Sequence, residues 1–277
     1  MNVYSKIPLY LLSAGLTFAA AAPVLAACVS NDCSALGYTK SESACSGDII
    51  RCPFDTSKVF CKEKEVYVMA AGDLLYSDKT TSKNMIEGKT VIGVVVDPSR
   101  RIASYKFETN RQWASSNYSK VQMDVPNLPN LTDEQAKNDF NGKSNTSALV
   151  IASTSLYPAA NYCYNLTTVG TSKGDWYLPA AGELLLMLNK FNQMNIGFAK
   201  AAGTQLTKGY SRAEYNSSTE THNSDCGGGG DVSSRGYTCA SYVINYSGDD
   251  NKASINSSNR YWAVWSEGPR VRCFIKF

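Results

Sequence analysis

The chain holds a single histidine among its 277 residues, and that scarcity removes several chemistries at once. A zinc site built on several histidines is excluded, and a histidine-dependent catalytic triad would have only His222 to use. No two cysteines stand at Cys-x-x-Cys spacing, so the zinc-ribbon and thioredoxin-like motifs are absent as well. There is no Lys/Arg-rich run, and a formal charge of +3 is too small to argue for a nucleic-acid partner.

Cysteine, in contrast, is plentiful: there are nine, and disulfides are their expected use in an exported chain. Export is expected from residues 1–27. Lys6 precedes an apolar stretch from Ile7 to Ala22, and small residues close the segment, the pattern of a secretory signal peptide. Its end, Leu25-Ala26-Ala27 before Cys28, resembles a bacterial lipobox, which makes Cys28 the expected lipidated residue and the attachment to a membrane. The competing reading is cleavage near Val24-Leu25-Ala26, leaving Cys28 as a thiol or disulfide partner. Lipidation of Cys28 would leave eight cysteines, an even number, out of nine. The expected location is the outer membrane as a lipoprotein, otherwise the periplasm or the exterior.

Residues 28–64 form a Cys-dense module. Cys33, Cys45, Cys52 and Cys61 fall close together, and Pro53-Phe54-Asp55-Thr56-Ser57 marks the turn of a hairpin. So short a segment buries too little apolar area to fold unaided, so two disulfides are the expected staples. Three pairings are open, and a four-thiol zinc site is the alternative.

From residue 65 the pattern is mixed. Val66-Tyr67-Val68-Met69, Thr90–Val96 and Arg101–Tyr105 read as strands. Thr132-Asp133-Glu134-Gln135 reads as a capping box opening a helix that stops by Gly142, and Pro158–Cys163 as a further helical stretch. Trp176-Tyr177-Leu178-Pro179 reads as a strand and turn. A helix follows, with Pro179 in its first turn, Glu183 near its positive end, and Leu184, Met187, Leu188 and Phe191 on one buried stripe. Residues 209–260 are dominated by Ser, Asn, Gly, Asp and Tyr, and the chain ends in strand-like Tyr261–Trp265 and Val271–Phe277.

Several features now stand in order: Gly72-Asp73-Leu74-Leu75-Tyr76-Ser77-Asp78, Gly142-Lys143-Ser144-Asn145-Thr146, Trp176-Tyr177-Leu178-Pro179 with Gly182-Glu183-Leu184, Tyr215-Asn216-Ser217-Ser218-Thr219-Glu220, and Val271-Arg272. Over residues 65–277 this series resembles the Lcl C-terminal domain family, which is related to the C-type lectin-like and formylglycine-generating-enzyme folds. The chain departs from it in carrying Asn216 where the family has tryptophan. The resemblance implies an α+β domain of twisted antiparallel sheets with two flanking helices. Trp176, Leu178, Pro179 and Glu183 would be structural in it. It also implies bridges from Cys163 to Cys273 and from Cys226 to Cys239.

Function is expected to be non-catalytic. The cysteine pair of the formylglycine-generating enzymes has no counterpart here. Ser217 and Ser218 have no evident base, and Glu183 and Glu220 read as structural carboxylates. The calcium-binding Glu-Pro-Asn, Gln-Pro-Asp and Trp-Asn-Asp signatures of C-type lectins are absent. Calcium is left only Asp225, Asp231, Asp249 and Asp250, which also suit turns. No cofactor is expected. The Tyr/Ser/Gly/Asn composition after Gly209 is that of antibody loops, and it resembles the targets of diversity-generating retroelements. Tyr215, Arg235, Tyr237, Tyr242, Tyr246, Arg260 and Trp262 are therefore the expected contacts with an extracellular protein or glycan. The alternatives are an enzyme of the formylglycine-generating type and a structural envelope or fimbrial component.

Overall fold

The computed structural model describes residues 33–34, 38, 45, 47–62, 66–115, 125–209, 214–221, 239–247, 252–259 and 269–277. The chain separates into two compact units, Met1–Tyr67 and Val68–Phe277. In the first, β1 (Asp48–Arg51) and β2 (Val59–Lys62) pair antiparallel, with Arg51 opposite Val59. Asp55 shapes the turn by accepting the Ser57 N–H, a side chain standing in for the backbone of a turn. Cys33 is bonded to Cys52 and Cys45 to Cys61. Cys33, Cys52 and Val59 are the buried hydrophobic residues described in this unit, so covalent cross-links replace a core.

The second unit is α+β with mostly antiparallel strands. One sheet runs β4 (Thr81–Ser82), β3 (Leu74–Tyr76), β5 (Val91–Asp97), β6 (Ile102–Tyr105), β14 (Phe274–Lys276), β9 (Trp176–Tyr177), antiparallel throughout. Alternate residues point to opposite faces, and both faces are covered. Leu74, Tyr177 and Phe274 join one apolar cluster, and Leu75, Trp176 and Ile275 the other. That double burial is why all seven residues of β5 are inside and why its sequence is a Val/Ile run without polar alternation.

The second sheet runs β12 (Lys252–Asn259), β11 (Cys239–Ser247), β10 (Tyr215–Thr221), β13 (Arg270–Val271), β7 (Thr109–Asn110), with β8 (Asn130–Leu131) also on β10. The β10–β13 and β10–β8 pairs are parallel. Strand β10 is the physical surprise: its residues Tyr-Asn-Ser-Ser-Thr-Glu-Thr are all buried.

Five helices are described where the family resemblance implied two: α1 (Asp133–Lys137), α2 (Gly142–Ala152), α3 (Pro158–Asn165), α4 (Ala181–Asn189) and α5 (Phe191–Lys200). Thr132 caps α1 through a capping box with Gln135, as its sequence requires. Three local expectations are corrected. Residues 66–70 form no strand, and Val66 and Val68 are exposed. Pro179 precedes the cap residue Ala180, and its carbonyl accepts the Ser218 N–H. Phe191 opens α5 after a break at Lys190, so the apolar stripe continues across two helices.

Gly142 opens α2 where α4 begins. A Cβ there would lie 2.7 Å from the Ala180 nitrogen and in collision with Glu183 Oε2. Gly182 answers it, since its Cβ would meet the Asp139 and Lys137 carbonyl oxygens at 2.6 and 2.7 Å. Both contacts are with backbone that cannot yield cheaply. Gly182→Ala is expected to destabilise the unit by about 1–3 kcal/mol, the usual cost of overpacking, measured by urea unfolding.

Cys163 of α3 is bonded to Cys273, just before β14. Cys28 and residues 1–27 lie outside the described residues, as does Cys226, and the Cys239 side chain is likewise not described. Among the described residues no helix is long and apolar enough to cross a membrane.

Candidate functional site

The β10–β11–β12 region was the expected contact surface, and its aromatic residues point inward. Tyr215 and Tyr242 have 0% exposure and Tyr246 has 7%. Tyr215 donates to Glu108 Oε2 at 2.9 Å, Tyr242 donates to the Leu131 carbonyl at 2.8 Å, and the Tyr246 ring stacks on Phe191 at 4.4 Å. Tyrosine suits such places, because its ring fills apolar space while its hydroxyl finds an acceptor. These three are therefore corrected from ligand contacts to core residues. Burial pushes the Tyr215 hydroxyl up to about 12, so it remains a donor. Arg235, Tyr237, Arg260 and Trp262 lie outside the described residues, together with His222 and Asp225, Asp231, Asp249 and Asp250.

Asn216, Ser217 and Thr219 of β10 are tied into the fold, while Ser218 Oγ and Thr221 Oγ1 are buried with no hydrogen-bond partner among the described residues. Ser217 Oγ donates to the Tyr242 carbonyl, and the Ser217 carbonyl accepts the Trp113 indole N–H at 2.9 Å. Thr219 Oγ1 donates to Asp139 Oδ2 at 2.7 Å and accepts the Ala181 N–H at 2.9 Å. Asn145 donates to the same Asp139 oxygen at 2.8 Å. Asn216 donates to the Arg111 carbonyl at 2.9 Å. Pairing of this kind offsets part of the cost of burying a polar strand.

Glu183 belongs to the same interior. Tyr177 donates to its Oε1 at 3.0 Å and the Ala180 N–H to its Oε2 at 2.9 Å, so it caps α4 from inside. Trp176 and Leu178, on either side of Tyr177 in the sequence, have 0% exposure and belong to the other apolar cluster, and the Trp176 indole donates to Thr171 Oγ1. Burial pushes the Glu183 carboxyl from its ordinary 4.5 up to about 8, against the two hydrogen bonds that favour its charged form. Its folded value therefore lies above its unfolded one. Between pH about 4.5 and about 8 the unfolded chain has released this proton and the folded chain has kept it. This group's contribution to stability accordingly falls as pH rises through that window, by up to ~1.4 kcal/mol per pH unit. Urea unfolding of the parent and of Glu183→Gln between pH 5 and 8 is expected to show the downward slope in the parent and a flatter one in the variant. Equal slopes would refute the assignment.

One surface cleft stands apart from this interior. It measures about 390 Å³ and is lined by Arg111, Thr154, Ser155, Pro158, Asn161 and Tyr162, between the segment after β7 and the start of α3. Sequence reasoning passed over it because Arg111 and Asn161 lie 50 positions apart (161 − 111) with no motif joining them. Among the described residues no group of three or more His, Cys, Asp or Glu is placed to hold a metal ion.

No protein-family model matches the chain, and no curated protein matches it. Among solved structures it is similar to a fimbrial protein from Bacteroides ovatus ATCC 8483, at 16% identity and a TM-score of 0.49. That similarity covers 76% of this chain and 49% of the other, so the chain spans about half the length of the protein it matches.

Proposed function

We propose that this is an exported recognition protein of the bacterial cell envelope, non-catalytic and without a cofactor, held to the outer membrane through Cys28. On this reading Val68–Phe277 is a C-type lectin-like domain of the Lcl C-terminal kind. Three disulfides support the oxidising compartment that export supplies.

The observation that carries the binding role is the register of the second sheet. Cys239 stands opposite Asn259, and Glu220 opposite Ser241. The described strand ends that border the connection 222–238 and the connection after Asn259 therefore lie at the same end of one platform. Arg235, Tyr237, Arg260 and Trp262 all belong to those two connections, while the tyrosines within the strands are used up by the core. Connections held on a rigid scaffold are where binding residues concentrate. The ligand is an extracellular protein or glycan.

The test is a glycan and protein array probed with the full chain and with a variant carrying Arg235→Ala, Tyr237→Ala, Arg260→Ala and Trp262→Ala together. The parent is expected to bind a restricted set, and the variant to lose that set while keeping its thermal transition. Retained binding would overturn the reading.

A structural envelope component is the second reading, and one observation favours it. Among the described residues β12 is an eight-residue strand at the end of its sheet, paired on one side only, with β11. Such an edge is a template for another strand. Recovery of the protein from cells in a stoichiometric assembly would favour this reading over ligand recognition.

A further inference from the structure

The cleft beside α3 carries an unopposed charge. Arg111 is exposed, and no carboxylate among the described residues pairs with its guanidinium. The group is nevertheless held in place. Its Nη1 donates to the Asn110 carbonyl at 2.9 Å, and its plane lies over the Tyr162 ring at 5.1 Å. Its backbone is fixed at both sides, with the N–H donating to the Pro269 carbonyl and the carbonyl accepting from Asn216. The opposite wall is fixed as well, because Tyr162 is followed on α3 by Cys163, which is bonded to Cys273.

The rest of the lining is rich in hydrogen-bond donors. Asn161 Oδ1 accepts from Asn165 Nδ2 at 2.7 Å, which leaves the Asn161 amide hydrogens as the half able to serve a ligand. Thr154 and Ser155 add hydroxyls, and both residues are exposed. No acidic residue lies in the first turn of α3, whose positive end adds to the local potential. Arginine, an amide and two hydroxyls, with no carboxylate among the described lining residues, complement a ligand that is anionic at one end and hydroxylated along its body. An arginine fork meets a carboxylate through two parallel charge-assisted bonds. Tyr162 is covered by the guanidinium, so its part is to orient Arg111. The volume of about 390 Å³ is at the small end of the range of ligand sites, the size of a single sugar ring.

We propose that this cleft binds an acidic monosaccharide unit, its carboxylate on Arg111 and its hydroxyls on Asn161, Thr154 and Ser155. The site is made of described residues and shares none with the connections that carry Arg235, Tyr237, Arg260 and Trp262, so each can fail without the other.

The experiment is saturation-transfer NMR on the full chain at millimolar ligand, with glucuronate, glucose and acetate as probes, on the parent, Arg111→Ala, Arg111→Lys and Asn161→Ala. Glucuronate is expected to bind, with glucose and acetate each at least tenfold weaker. Arg111→Ala is expected to lose at least tenfold, Arg111→Lys to keep part of the affinity, and Asn161→Ala to lose a few-fold. Arg111→Ala preserves the backbone bonds, and an unchanged thermal transition will certify its fold. Absence of glucuronate binding, glucose or acetate binding as tightly, or an Arg111→Ala variant indistinguishable from the parent would each overturn the proposal.

Discussion

Glu108→Ala is expected to lower the stability of the second unit by about 3–5 kcal/mol, the cost of leaving a buried charge without its partner. Glu108 sits between β6 and β7 and accepts from three side chains. Arg272 reaches its Oε2, Arg270 its Oε1, and the Tyr215 hydroxyl its Oε2. The Arg272 side chain has 0% exposure, and those of Arg270 and Glu108 have 22% and 9%. Arg272 also donates to the Thr204, Tyr105 and Lys106 carbonyls and lies over Phe198 at 4.2 Å. Those contacts hold the guanidinium in place once the carboxylate is gone, so it cannot escape to water. Urea unfolding of Glu108→Ala measures the loss. The double variant Glu108→Leu with Arg272→Met is expected to recover most of it, because paired removal of buried charges is often neutral where single removal is not. A loss below about 1 kcal/mol for Glu108→Ala would mean that water reaches Arg272 and that the pair behaves as a surface ion pair.

The contrast between β5 and β10 shows what the sequence could and could not reveal. Val91–Asp97 announces itself because hydrophobicity is the property that buries it. The β1–β2 turn and the Thr132 cap are also local, each decided by residues within a few positions of one another. Tyr215–Thr221 is buried for a reason no local window contains. The hydroxyls of Ser217 and Thr219 are answered by Asp139, the Tyr242 carbonyl and Ala181, each at least 25 positions away. The same composition that resembles a binding loop is that of a paired interior strand, and only distant partners distinguish the two. The Arg111 cleft was hidden for a related reason, since its walls meet only after α3 docks beside β7. Tyr215, Tyr242 and Tyr246 thus pass from the candidate ligand surface to the core.

Severing the Cys163–Cys273 bond is expected to produce the other large effect. The bridge joins residues 110 positions apart, so in the unfolded chain it closes a long loop and removes much of its freedom. By the chain-entropy account a loop of about a hundred residues is worth ~4.7 kcal/mol. For a unit of this length each kcal/mol moves the midpoint by about 2–4 °C, giving a fall of about 10–20 °C. Both cysteines have 0% exposure and lie in the cluster with Trp176 and Ile275. A Cys163→Ala, Cys273→Ala pair therefore loses the cross-link without burying new polar groups, which a serine pair would do. Calorimetry of that variant under oxidising conditions isolates this bridge, because the Cys33–Cys52 and Cys45–Cys61 bonds of the first unit stay closed. Reducing the parent opens these two bonds along with Cys163–Cys273 and is expected to unfold the first unit as well, which has little apolar core to fall back on. A midpoint within about 3 °C of the parent's would show that the unfolded chain is already compact enough to make the bridge redundant. The same variant also probes the cleft, since α3 carries Asn161 and Tyr162 and would lose its covalent tie to Cys273. If the α3 wall is held by the bridge, glucuronate affinity falls along with the midpoint. If packing of α3 against Trp113 through Tyr157 suffices, the two measurements part.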